Sequence, residues 1–139
     1  MRKRLFILHS SFFILMLLAA SSSCTESFSD RCRREAREYT ERQCPRPLGE
    51  YIVMDSMTYQ ETPQGFTYHQ TVQGLLDNDS LIADPGISEF RDELCERIRQ
   101  DISLKPYKDR DFTFRYRYTS ASTGQLFTEV IIGPEDYGK

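Results

Sequence analysis

The chain has 139 residues, 39% hydrophobic and 28% charged, with no Trp, four Cys and a formal net charge of −3. That length suits one domain; 7 Gly and 6 Pro exclude a collagen-like or low-complexity chain. A mean hydropathy of −0.55 excludes a polytopic membrane protein, and a pI near 5.4 argues against a nucleic-acid binder.

The first element is an export signal. Arg2, Lys3 and Arg4 form a basic start, and Leu5 to Ala20 is mostly apolar, interrupted at His9-Ser10-Ser11. Small residues then lead into Cys24. A basic, apolar, small-residue order is that of a secretory signal peptide, and the run is too interrupted for a comfortable span of about 20 apolar residues. The stretch Ala19-Ala20-Ser21-Ser22-Ser23-Cys24 resembles the lipobox of bacterial lipoproteins, although Ser21 stands where Leu is usual. The resemblance implies that Cys24 is lipidated and becomes the first residue of the mature chain. The alternatives are an ordinary cleaved signal peptide with Cys24 as a plain cysteine, and an uncleaved anchor. Residues 1–23 hold three basic residues and no acidic ones, so the rest carries a net charge of about −6. The expected division is 1–23 signal peptide, 24–29 lipidated tether and 30–137 a single α+β domain.

Ser29 to Gln43 predicts a helix capped by Ser29 or Asp30, with Phe28, Cys32, Ala36 and Tyr39 as a narrow apolar stripe. Arg34–Glu38 and Glu38–Arg42 are spaced to pair on its surface. Cys44-Pro45-Arg46-Pro47 ends it. Tyr51 to Tyr59 is rich in β-formers and predicts a strand. Glu61 to Gly65 is turn chemistry. Phe66, Tyr68, Gln70 and Val72 then alternate with Thr67, His69 and Thr71, completing a hairpin.

Gly74 to Pro85 is a loop. Counted from Asp77, the fifth, sixth and twelfth positions of a calcium loop hold Leu81, Ile82 and Ser88, the wrong residues, so no metal is expected. Asp84-Pro85 predicts a cap and first turn. The helix then runs to about Ser103, with Ile87, Phe90, Leu94, Ile98 and Ile102 as its stripe and Cys95 at the edge. Asp111 to Thr119 alternates most clearly: Phe112, Phe114, Tyr116 and Tyr118 against Thr113, Arg115, Arg117 and Thr119. A turn at Ser120 to Gln125 leads to Leu126–Ile132, with Leu126, Thr128, Val130 and Ile132 on one face, and Pro134 to Tyr137 ends the fold. The order α-β-β-α-β-β predicts one four-stranded antiparallel sheet with two helices on one face.

The Cys44-Pro45 helix end, the Tyr68-His69-Gln70 strand, the Phe114-Arg115-Tyr116-Arg117-Tyr118 strand and the Thr123-Gly124 turn together resemble small exported α-β-β-α-β-β proteins of Gram-negative bacteria, mostly uncharacterised lipoproteins. The arrangement is also similar to the repeat of β-lactamase-inhibitor-type proteins and to cystatin-like sheets. The resemblance implies a bacterial cell-envelope location, on the periplasmic or the surface side, and no catalytic residues.

Catalytic chemistry has little to build on. Beyond the signal, His69 is the only histidine, and Glu93 and Glu96 are two helix glutamates among many. Zinc spacing, a phosphate loop and a nucleophile elbow are all missing from the sequence. The expectation is a non-enzymatic protein with no cofactor. With Cys24 lipidated, Cys32, Cys44 and Cys95 remain. Cys32 and Cys44 on one helix would stand about 18 Å apart, beyond the ~7 Å reach of a disulfide. A bridge would therefore join Cys95 to Cys32 or Cys44. Arg115 and Arg117, with His69, mark the best binding face, suited to a protein, peptide or glycan. The expected role is a lipid-anchored binding or accessory module with the membrane and an envelope protein or peptide as partners. Alternatives are a structural lipoprotein without specific ligand and a minor envelope hydrolase.

Overall fold

The structure is a computed structural model that describes residues 25–78 and 85–138. The export signal, Cys24 and the Asp84 cap lie outside the described residues, as does the side chain of Ile87. Among the described residues no helix is long and apolar enough to cross a membrane.

Helix α1 spans Phe28–Gln43. Its cap is Ser27, two residues before Ser29 and three before Asp30, the caps expected from the sequence: the Ser27 hydroxyl accepts from the Asp30 amide. The stripe falls as expected, with Cys32 and Ala36 buried and Phe28 and Tyr39 packed against the core. Arg34 pairs with Glu38 and grips Glu26 with two bonds of 2.9 Å, holding the residues before α1 against the helix.

Strand β1 is the two-residue Arg46–Pro47. It edges a sheet continued by β2 (Ile52–Glu61), β3 (Gln64–Val72), β4 (Thr113–Ser120) and β5 (Leu126–Ile132), in the order β1-β2-β3-β4-β5. Helix α2 (Pro85–Gln100) connects β3 to β4, followed by a 3₁₀ turn and the short α3 (Lys105–Lys108); α4 (Pro134–Tyr137) closes the described chain. The α+β class holds, but the sheet is mixed and five-stranded. β3 and β4 pair in parallel, Gly65 with Thr113 through Val72 with Ser120. The cause is topological: α2 carries the chain back along the sheet, and a helical crossover returns a strand in the direction of its predecessor. Each hairpin stays antiparallel, and the parallel pair is the seam between them.

Both long helices feed one core on one face. Cys32 and Ala36 of α1 and Leu94, Cys95 and Ile98 of α2 meet Met57, Phe66, Phe114, Val130 and Ile132 of the sheet. Two expected core residues are not there. Ile102 is exposed, because α2 ends at Gln100 and Asp101 caps a 3₁₀ turn through the Ser103 amide. Leu126 is exposed too: a bulge at Phe127 pairs Leu126 with Thr119, moving it off the face of Val130 and Ile132. On β2 the Thr40 hydroxyl of α1 serves both backbone groups of Met57, donating to its carbonyl (3.0 Å) and accepting from its amide (2.9 Å). That contact satisfies part of an edge strand that β1 is too short to cover.

Candidate functional site

The face away from the helices is built by the odd positions of β3 and β4. Alternation sends Phe66, Tyr68, Phe114 and Tyr116 to the core and leaves His69, Thr71, Arg115, Arg117 and Thr119 on the other side. The register sets them in rows. Ser56, His69, Arg117 and Glu129 stand side by side, as do Thr58, Thr67, Arg115 and Ile131. His69, Arg115 and Arg117, the residues singled out from sequence, are thus brought together. Thr113, expected on the same open face, is buried instead. It lies where Gly65 lets the two backbones approach: a Cβ at Gly65 would stand 2.3 Å from the Thr113 carbonyl oxygen.

Sequence reasoning missed the counter-charge. Glu129 sits opposite Arg117, and its Oε1 lies 3.4 Å from Arg117 Nε and 3.9 Å from Arg115 Nη1. Two guanidinium groups share one carboxylate. The Arg115 Nε–H is buried and has no hydrogen-bond acceptor among the described residues. The alternating pattern of β5 could have revealed Glu129, but only the register brings it between the arginines. At the row's other end, His69 Nε2 lies 3.0 Å from the Thr58 hydroxyl, and the Thr71 hydroxyl donates to Asp55 at 2.7 Å.

Partial burial, reinforced by Arg117 and opposed by Asp55, holds His69 below the usual imidazole pKa. A lowered folded-state pKa means that the unfolded chain binds the proton more readily. The contribution is therefore present above the unfolded value, about 6.5, and is lost as pH falls through the folded one. Between pH 7 and pH 5 the wild type is expected to lose more stability than His69→Gln, read as urea midpoints at each pH. Equal losses would show that His69 makes no such contribution.

The remaining candidates are structural. Glu93 and Glu96 are spent on Arg97, Arg99 and Gln100. Asp77 accepts from the Ser120 hydroxyl (2.6 Å) and the Ser122 amide (2.8 Å), tying the start of the crossover to the β4–β5 turn. The Ser120 bond is the main cause of its lowered pKa. Among the described residues no three His, Cys, Asp or Glu side chains are grouped to hold a metal ion. Among the described residues Cys32, Cys44 and Cys95 carry free thiols, and no bridge between Cys95 and Cys32 or Cys44 is seen. Burial, then Glu35, pushes the Cys32 thiol up to about 11, and the Cys95 thiol donates to the Asp136 carbonyl. A cleft of about 400 Å³ runs between α1 and β2, with Arg33, Arg37, Thr40 and Tyr59 in its walls. A second hollow of about 560 Å³ lies between Leu75, Asp77, Ser122 and Phe127.

The fold is shared with two solved structures. One is a protein from Pseudomonas aeruginosa that carries the description of a secreted protein, with a TM-score of 0.66 and 15% identity over 79% of this chain and 92% of that one. The other is the pilotin EpsS from the Vibrio vulnificus type 2 secretion system, with a TM-score of 0.59 and 10% identity over 80% of this chain and 92% of that one. At these identities the likeness establishes the fold. No curated protein matches the chain. A family profile does, over residues 27–128, from the cap of α1 into β5. The chain belongs to the family described as a domain of unknown function, DUF8479.

Proposed function

We propose that this protein is a non-enzymatic accessory module of the bacterial cell envelope, tethered by lipid at Cys24, whose open sheet face binds another envelope protein. The observation that carries the reading is the uncovered face itself. It presents two guanidinium groups against a single carboxylate, with a buried Arg115 donor that lacks an acceptor. Two guanidinium groups facing one carboxylate leave a net positive charge on the face, which a carboxylate from a binding partner would match. The two structural relatives support the compartment: one is described as secreted and the other is a secretion-system pilotin. The apolar signal ending at Cys24 supports the tether.

The test is a pull-down from membranes with the wild type and with the Arg115→Glu/Arg117→Glu double variant. The double variant is expected to lose one or more partners while its melting curve stays cooperative. Identical partner lists would remove the sheet face from the proposal.

A further inference from the structure

Arg115 and Arg117 stand two residues apart on β4 and lie on the same side of the sheet, about 7 Å from one another along the strand. The register brings the carboxylate of Glu129 between them, but holds it loosely. Its distances of 3.4 and 3.9 Å to the two guanidinium groups lie beyond the roughly 2.7–3.2 Å of a formed hydrogen bond. Elsewhere such pairs close fully: Arg33 reaches Glu61 at 2.8 Å, and Arg34 reaches Glu26 at 2.9 Å. The cause is the ladder. Glu129 faces Arg117 across a strand pair that fixes its backbone, so its carboxylate meets neither guanidinium squarely.

The spot around these three side chains keeps one positive charge in excess. Asp55 stands two strands off, on β2, where the Thr71 hydroxyl engages it. The Arg117 side chain is 42% exposed and that of Glu129 27%, so the guanidinium is the more open of the two to a partner. The surroundings set the size of that partner. Residues 24–139 carry a net charge of about −6. A long polyanion or an anionic surface would meet that wider negative field. A short acidic segment meets only the positive spot.

We infer that this spot takes a short extended segment of a partner protein with acidic residues at alternate positions, and that Glu129 competes with that segment for the two arginines. The inference rests on the sheet-face reading above. Side chains two apart on an extended chain share a side and repeat at about 7 Å. That is the spacing of Arg115 and Arg117, so each guanidinium meets one carboxylate, the pairing its fork of donors suits. With Glu129 in place, three carboxylates share two guanidinium groups, and the like charges oppose binding. A segment with one carboxylate would only duplicate Glu129. A segment with two brings a charge that Glu129 does not supply, and Glu129 limits how tightly it is held.

The test titrates the purified full chain, in uncharged detergent at low salt, against a labelled hexapeptide that alternates threonine and glutamate, read by fluorescence anisotropy. The expected result is binding that Arg115→Gln/Arg117→Gln abolishes and that Glu129→Gln tightens about tenfold. Glu93→Gln removes the same charge from an exposed helix pair with Arg97, and should leave the affinity within about twofold. A peptide of the same composition with its three glutamates adjacent should bind several-fold more weakly. Melting curves confirm that each variant is folded. No binding by any form, binding that survives loss of both arginines, or unchanged or weaker binding by Glu129→Gln overturns the inference. So does an equal gain from Glu93→Gln, or equal affinity for the two peptides. The pull-down described above reads the parent proposal separately. Partners lost there without a Glu129 effect here overturn the inference alone; identical partner lists overturn both.

Discussion

Replacing Phe112 with alanine is expected to destabilise the fold by about 3–5 kcal/mol. Phe112 lies just outside β4, after Asp111, whose φ of 56° turns the chain sharply inward. Its side chain is completely buried. Its ring lies 4.9 Å from Phe66, 5.2 Å from Tyr107 and 5.8 Å from Phe114, with Tyr59 and Phe28 just beyond 6 Å. Those rings come from α1, β2, β3, α3 and β4, so one side chain joins five elements. Its carbonyl also accepts from the Tyr137 hydroxyl at 2.8 Å, fastening α4 to the same point. Truncation removes the transfer energy of the ring and the several aromatic contacts, each about 0.5–1.5 kcal/mol. A loss that large is a sizeable fraction of the roughly 5–15 kcal/mol a domain holds. Urea denaturation followed by circular dichroism measures it, with Phe112→Leu as the milder variant should the alanine form not fold. A loss below about 1 kcal/mol for Phe112→Ala would show that the ring is not the hub of the core.

Gly65→Ala is expected to destabilise by about 3 kcal/mol, at the upper end of overpacking effects. Gly65 does not need its freedom of φ; it is there for space. It faces Thr113 in the parallel seam, and the added methyl would stand 2.3 Å from a main-chain oxygen. Main chain cannot rotate away as a side chain can, so β3 and β4 must part at their first paired residues. The decisive measurement is the double variant Gly65→Ala/Thr113→Gly. Because the nearest atom is backbone, the second change should restore little of the lost stability. Full recovery in urea melts would mean that the clash lies with the threonine side chain.

How much of this was legible beforehand depends on the range of the interaction. Period-2 alternation in β3 and β4 placed His69, Arg115 and Arg117 on one face, because strand geometry is local. The stripe of α1 gave Cys32 and Ala36 to the core by the same logic at period 3.6. Leu126 and Ile102 were misplaced because a bulge and a helix end each shift the phase, and neither has a marker in the residues nearby. β1 escaped notice because two residues, one of them proline, show no period at all.

By itself the sequence determined the α+β class, the order of the main elements, and the face on which the arginines lie. It also supplied the expectation of an export signal ending at Cys24, because charge, apolar runs and spacing are read along the chain. Only the tertiary structure decided that β3 and β4 run parallel, which follows from where the α2 crossover returns the chain. Only it set Glu129 between Arg115 and Arg117 and joined the Ser120–Gln125 turn to Asp77. These are contacts between residues distant in sequence, and strand register, which no local pattern encodes, determines them.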